Sequence, residues 1–164
     1  ALAQRGARYA SVALRDLPGV AAAACDIVFA RRATLDGASD LPGALAGVAR
    51  ALRPGGLAAI CAVSPFAAIF PSGGAEPLRP ERSYFDRAPR VGLDGAPRPH
   101  RTIGDWIAAF GAAGLVVSDL LELEPHPRLW RPGAVGEPGW ERLALLPHTT
   151  IWRARKPGGA AVAP

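Results

Sequence analysis

Residues 25–63 read CDIVFARRATLDGASDLPGALAGVARALRPGGLAAICAV, and this stretch decides the fold. It opens with a short apolar run, residues 25–30, whose β-branched and aromatic side chains predict a buried strand. It closes with a continuously apolar run, residues 57–63, which is typical of a strand covered on both faces. An amphipathic segment separates the two runs. The stretch therefore predicts a strand–helix–strand unit, which is parallel and right-handed in nearly all proteins.

The segment between the two strands carries one apolar stripe at helical spacing, formed by Leu41, Leu45, Val48 and Leu52. We expect a helix over residues 41–53 with its N-cap at Ser39 or Asp40. Pro54-Gly55-Gly56 should end this helix and lead into the next strand. Because the helix needs a sheet to cover its stripe, we expect a core that contains Val28, Leu45, Val48, Leu52, Ile60 and Trp106.

Residues 64–100 interrupt this regular pattern, since they are rich in proline, glycine and arginine. A connection of this length inside a compact domain is either a functional lid or locally disordered. We expect at most short helical turns in it, and a position over the carboxyl ends of the strands. The segment is therefore predicted to be a lid or a substrate-binding insertion.

Regular structure returns at Thr102, where residues 102–105 resemble a capping box with aspartate in place of glutamate. The helix should run to Gly114, with an apolar stripe of Trp106, Ile107 and Phe110. Two strands should follow, over residues 115–123 and 147–155. The linker between them has no helical stripe that could serve as a crossover, so we expect these strands to pair antiparallel. Residues 1–156 should form one domain, and residues 157–164 a disordered tail.

Composition narrows the possible partners and the location of this chain of 164 residues. The net charge is +5, but the arginines that carry it are spread along the whole chain, and Lys156 is the only lysine. This bias is typical of a GC-rich genome, so we expect a bacterial protein that does not bind nucleic acid. Cys25 and Cys61 lie in apolar runs, which favours a reducing, cytoplasmic compartment over a disulfide or a metal site. No run reaches the roughly 18 apolar residues that cross a membrane, so a membrane partner is not expected.

Several motifs resemble the class I S-adenosylmethionine-dependent methyltransferases, most of all the small-molecule branch often called methyltransferase type 11. The first is Arg50-Ala51-Leu52-Arg53-Pro54-Gly55-Gly56-Leu57 at its distance from Cys25-Asp26-Ile27-Val28-Phe29-Ala30. The others are His100-Arg101-Thr102-Ile103-Gly104-Asp105-Trp106 with Ala113-Gly114-Leu115, the ending Arg153-Ala154-Arg155-Lys156-Pro157, and the region from Arg5 to Pro18. The resemblance covers nearly the whole chain. It implies an α/β fold with a Rossmann-like methyltransferase sheet, mixed because the last strand is antiparallel.

The same resemblance implies an N-terminally truncated domain. The glycine-rich turn after the family's first strand and the acidic residue that ends its second strand have no counterpart in this chain. We therefore expect residues 1–156 to be a partial methyltransferase domain, with residues 64–100 as its lid or substrate insertion. The fourth strand of the family, residues 25–30 here, should lie at a sheet edge. We also expect the fragment alone to be inactive and to bind no S-adenosylmethionine.

The resemblance further implies S-adenosylmethionine as cofactor and a small-molecule methyl acceptor. The residues we would assign to the cofactor wall are Leu14, Asp16, Ala30 and Arg31. An ungapped match places Ala13, and a shifted gap Asp16, at the family's adenine-binding aspartate. No metal site is expected, and nothing in the sequence indicates the oligomeric state.

On the acceptor side, His100 is the candidate catalytic base, and Tyr84 and Arg101 are candidate substrate-binding residues. Each residue also has a structural reading: Arg31 as a solvated arginine, and His100 as a cap or lid-packing residue. Two other functions stay open. One is half of a Rossmann-like nucleotide-binding oxidoreductase, which would need a parallel terminal strand, and the other is a non-catalytic interaction fragment.

Overall fold

The computed structural model describes residues 19–70, 79–91, 95, 97–124 and 145–158. Its strands are β1 (Cys25–Ala30), β2 (Leu52–Val63), β3 (Arg90–Val91), β4 (Pro97–Arg98), β5 (Val116–Leu123) and β6 (Thr149–Arg155). Its helices are α1 (Arg32–Asp36), α2 (Leu41–Ala51) and α3 (Ile103–Ala112), with a short 3₁₀ helix at Ala67–Ile69. The longest described helix, α2, has 11 residues, and none of the described helices is long and apolar enough to cross a membrane.

Four strands form the main sheet in the order β1-β2-β6-β5. β1 and β2 are parallel, whereas β6 is antiparallel to both of its neighbours. The predicted parallel strand–helix–strand unit and the predicted antiparallel pairing of the last two strands are therefore both confirmed. The oxidoreductase alternative needs a parallel terminal strand, and β6 is antiparallel, so the topology does not support that alternative.

The core lies between the sheet and helices α2 and α3. Leu45, Val48 and Leu52 are fully buried, and Ile60 and Trp106 join them in one cluster, as predicted. Val28 is only half-buried, so its predicted burial is wrong. It lies on β1, which is an edge strand in the part of the sheet that the structure describes.

Helix α3 packs its aromatic residues against the last strand. Trp106 stacks on Trp152 of β6 with ring centroids 5.7 Å apart, and Phe110 lies against the same indole. Ile107, which we expected in the buried stripe, is 52% exposed, and Ala109 is buried instead. The buried positions 106, 109 and 110 still follow helical spacing, so only the edge of the stripe was misplaced.

The glycines after α2 do not end the helix as predicted. The helix stops at Ala51, and β2 already includes Pro54-Gly55-Gly56. Gly55 has a φ of +78°, a conformation that glycine adopts without strain. A Cβ on Gly56 would lie 2.9 Å from the Arg53 carbonyl oxygen and 3.1 Å from that of Asp26. The two glycines therefore let an irregular stretch of backbone enter the sheet next to β1, where the register shifts.

Three small elements, α1, β3 and β4, were not predicted. Helix α1 follows β1 directly and has no side-chain cap, and it is too short to show a periodic pattern. Within residues 64–100, β3 and β4 pair as a two-residue antiparallel ladder, so the expectation of at most helical turns is wrong there. The described part of this region is otherwise irregular, with only the 3₁₀ helix.

The face of the sheet opposite α2 and α3 is apolar near β1. Ile27 is 62% exposed and Phe29 is 64% exposed, while their neighbour Ala30 on the other face is buried. Across the strands Phe29 is in register with Ala59, and Ala59 with Arg153, which pairs with Asp119 at 3.2 Å. Within the described residues this face of β1 therefore stays open to solvent.

Candidate functional site

A polar group of side chains lies where β1 and β2 end at their carboxyl edge. Asp36, the last residue of α1, accepts hydrogen bonds from the Val63 amide on its two carboxylate oxygens, at 3.2 and 3.3 Å. Arg101 donates a hydrogen bond to the carbonyl oxygen of Ala38. Burial lowers the pKa of the Arg101 guanidinium, and the charge of Asp36 acts in the opposite direction. The short helix after β1 thus brings one carboxylate to the edge where open α/β sheets bind ligands.

His100 is buried two residues before Thr102, the N-cap of α3, with 4% of its surface exposed. Its Nε2 lies 2.9 Å from the backbone carbonyl oxygen of Tyr84. Its Nδ1 is also buried and has no hydrogen-bond partner among the residues that the structure describes. The expected lid-packing contact of His100 is therefore present, and it uses only one of the two ring nitrogens.

The start of α3 holds His100 and Arg101 in place. Thr102 and Asp105 form the predicted capping box: the Thr102 hydroxyl accepts from the Asp105 amide, and the Asp105 carboxylate accepts from the Thr102 amide at 2.7 Å. Asp105 also forms an ion pair with Arg87. The capping box fixes where the helix begins, and His100 and Arg101 directly precede its N-cap, Thr102.

Tyr84 connects residues 79–91 to this helix start. Its hydroxyl accepts a hydrogen bond from the Ile103 amide at 2.8 Å, and its ring stacks on Phe66 at 5.2 Å and 15°. The edge of the ring faces His100 at 6.1 Å. The structure therefore brings Tyr84 next to His100, as a bridge between the segment and the helix.

Asp86 stabilises the turn of the same segment. Its carboxylate accepts from the Ala88 amide at 2.9 Å and from the Arg82 guanidinium at 2.7 and 3.1 Å. The hydrogen bond from Ala88, followed by the interaction with Arg82, lowers the pKa of the Asp86 carboxyl. Asp86 therefore organises the segment's own backbone.

A small cavity lies between these elements, with a volume of about 20 Å³. It has room for about one water molecule. Its walls are formed by Asp36, Val63, Pro65, Ala68, Arg90, Pro99, His100, Arg101 and Trp106. The structure thus brings the predicted residues His100 and Arg101 together in the cavity wall, while Tyr84 contacts His100 and is not part of the wall.

Sequence reasoning missed Asp36 and Arg90 as members of this cavity. The position of Asp36 carried a signal, because it lies a few residues beyond the carboxyl end of a parallel strand. Arg90 carried none, since it is one of many arginines in an irregular region.

The residues assigned to the cofactor wall are only partly described. Ala30 ends β1 and is 1% exposed, and Arg31 is an exposed residue at the N-cap of α1 with no side-chain capping bond. Leu14 and Asp16 lie outside the described residues. In the part of the chain that the structure describes, no group of three or more histidine, cysteine, aspartate or glutamate side chains could hold a metal ion.

No protein-family model matches this sequence, and no curated protein matches it either. Solved structures do. One is an S-adenosylmethionine-dependent methyltransferase from Mesorhizobium loti, with a TM-score of 0.63, 22% identity, and coverage of 85% of this chain and 65% of that chain. Another, from Listeria monocytogenes, is described as an enzyme of the same class, with a TM-score of 0.68, 20% identity, and coverage of 94% and 73%.

A third similar structure is 1,6-didemethyltoxoflavin-N1-methyltransferase from Burkholderia thailandensis, with bound 1,6-didemethyltoxoflavin and S-adenosylhomocysteine. Its TM-score is 0.53 at 20% identity, and the match covers 95% of this chain and 55% of that chain. Likeness at this level of identity shows a shared fold. The described residues therefore have the α/β fold of the S-adenosylmethionine-dependent methyltransferases, and the expected mixed Rossmann-like sheet is confirmed.

Proposed function

We propose that this chain belongs to an S-adenosylmethionine-dependent methyltransferase that acts on a small-molecule acceptor. The observation that carries the proposal is the fold itself, which matches solved methyltransferases at TM-scores of 0.63 and 0.68 over 85% and 94% of this chain. The chain spans 65% and 73% of the two structures. The activity proposed is therefore that of the whole protein, to which residues 1–156 contribute a partial domain.

The polar cavity supports one part of an acceptor site on this chain: with room for about one water molecule, it can take a single polar group of the acceptor. It lies at the carboxyl edge of the parallel strands, where such sheets bind their ligands. Methyl transfer depends chiefly on proximity and alignment, and a base is needed only if the acceptor carries a proton. In this proposal His100 is the base, Arg101 binds the acceptor, and Tyr84 shapes the site from residues 64–100.

The described residues alone do not fit S-adenosylmethionine. A cavity of about 20 Å³ is far below the roughly 300–1,000 Å³ of pockets that enclose small-molecule ligands. Ala30 and Arg31 supply one wall at most. We propose that Leu14 and Asp16, with residues beyond those described, complete the cofactor site, so residues 1–164 alone should be inactive.

A transfer assay tests the function. The protein, in the 164-residue form and in a form extended upstream, is incubated with S-adenosylmethionine labelled in its methyl group and a small-molecule extract. The proposal predicts label in the small-molecule fraction with the extended form. His100→Asn should abolish it, whereas the matched variant His148→Asn should not. Label in protein or nucleic acid would contradict a small-molecule acceptor, and no transfer by the extended form would favour a non-catalytic protein.

A further inference from the structure

We propose that His100 presents an unprotonated Nδ1 to the cavity wall as a hydrogen-bond acceptor, and that Tyr84 is the positioning residue that sets this tautomer. The inference deepens the proposed function and rests on it in one respect, because it names the class of acceptor. That class is a small molecule that carries an N–H or O–H group.

The hydrogen bond to Tyr84 decides which ring nitrogen carries the proton. A backbone carbonyl oxygen can only accept, so Nε2, at 2.9 Å from it, must be the donor. A neutral imidazole has a single N–H, which leaves the lone pair on Nδ1. Nδ1 is buried and has no partner within the described chain, so this lone pair is available to a ligand.

Arg90 and Arg101 cannot take that role, because they line the cavity with guanidinium groups, which donate hydrogen bonds and never accept them. Both oxygens of Asp36 already accept from the Val63 amide, although a carboxylate keeps further lone pairs. Nδ1 of His100 differs from Asp36 because it has no partner within the described residues, while the arginines suit oxygen or anionic atoms of the same ligand.

Tyr84 holds its carbonyl against His100 through two contacts of its side chain. Its hydroxyl is tied to the Ile103 amide, and its ring stacks on Phe66. If residues 79–91 move away, Nε2 loses its acceptor and both tautomers become accessible. The tautomer of His100 therefore depends on whether residues 79–91 stay packed against the start of α3.

If S-adenosylmethionine were bound by the complete protein, it would supply an activated methyl group. Nδ1 of His100 would then be the group on this chain that takes the proton of the ligand's N–H or O–H group.

Long-range proton–nitrogen NMR on isotope-labelled protein tests the tautomer without any methyl transfer. The chain has only three histidines, so His100→Asn assigns the signals. In mildly alkaline buffer we expect the Nε2–H form of His100 in the wild type and a mixture of both forms in Tyr84→Ala. The control variant Val91→Ala, which shortens a side chain of the same segment that is 71% exposed, should leave the tautomer unchanged. An Nδ1–H form in the wild type, or equal effects of both variants, would overturn the proposal.

A pair of small probes tests the ligand class in the same spectra. Methanol, which has an O–H group, should move the Nδ1 signal of His100 in a saturable way, and acetonitrile, which has no N–H or O–H group, should not. No shift with methanol, or the same shift with both probes, would contradict the proposed class. Since neither experiment uses the cofactor, a correct tautomer without methyl transfer would refute only the proposed function. Transfer with the wrong tautomer would refute only this inference.

Discussion

Truncation of Leu45 is the sharpest test of the layer that α2 forms on the sheet. Leu45 is fully buried within the core cluster. Leu45→Ala removes three carbon atoms, which at about 0.8 kcal/mol per buried CH₂ group amounts to roughly 2.4 kcal/mol of transfer free energy. The cavity left behind adds to this, so we expect a total loss of about 2–5 kcal/mol. For a domain whose unfolding free energy is about 5–15 kcal/mol, that is a large fraction.

Urea unfolding followed by tryptophan fluorescence measures this loss, because Trp106 and Trp152 stack in the same core. Leu145→Ala is the matched control: the same substitution at a residue that is 70% exposed should change the free energy of unfolding by less than about 0.5 kcal/mol. Equal losses for the two variants would refute the assignment of α2 as the core-facing helix.

The remaining predictions concern the start of α3 and residues 79–91. Thr102→Ala removes the N-cap of α3 and should lower the free energy of unfolding by about 1 kcal/mol in the same urea assay, and an unchanged midpoint would contradict the capping role. The pKa of Asp86 is lowered in the folded protein, so its bond to Ala88 is present above the ordinary value of 3.8 and is lost as the pH falls through the lower folded value. The chemical shift of the Ala88 amide should change over the pH range of that titration. In Asp86→Asn this pH dependence should be absent. Limited trypsin digestion should cut after Arg87 before Arg82, because their side chains are 57% and 14% exposed, and the reverse order would contradict this arrangement.

The elements that sequence reasoning placed well are those with a clear period and a clear cap. The stripe of α2 and the capping box at Thr102 each depend on residues close in sequence, so local patterns were enough. The end of α2 was misplaced because Gly55 and Gly56 also suit an irregular entry into a strand. Which of the two occurs depends on β1 and on Lys156, whose carbonyl accepts from the Gly55 amide at 2.9 Å, and such distant partners leave no local signal.

Only some of the residues that line the candidate site could be predicted from the sequence. His100 and Arg101 were singled out because they precede the predicted helix, and both line the cavity. Asp36 and Arg90 reach it through α1 and β3, which are too short to predict. Tyr84 was expected in the substrate pocket, yet its described contacts go to Phe66, Phe85, His100 and Ile103. A role that depends on a backbone carbonyl cannot be deduced from the side chain's identity.

Calorimetric titration of S-adenosylmethionine tests the central claim most directly, because it asks whether this fold binds the cofactor and which residues are needed. Residues 1–164 should give no measurable binding, since the cavity at the carboxyl edge of their parallel strands is far smaller than the cofactor. A form extended upstream should bind it, and Asp16→Ala in that form should weaken the binding. Micromolar binding to residues 1–164 alone would show that the cofactor site is misplaced, and no binding to the extended form would contradict a methyltransferase function.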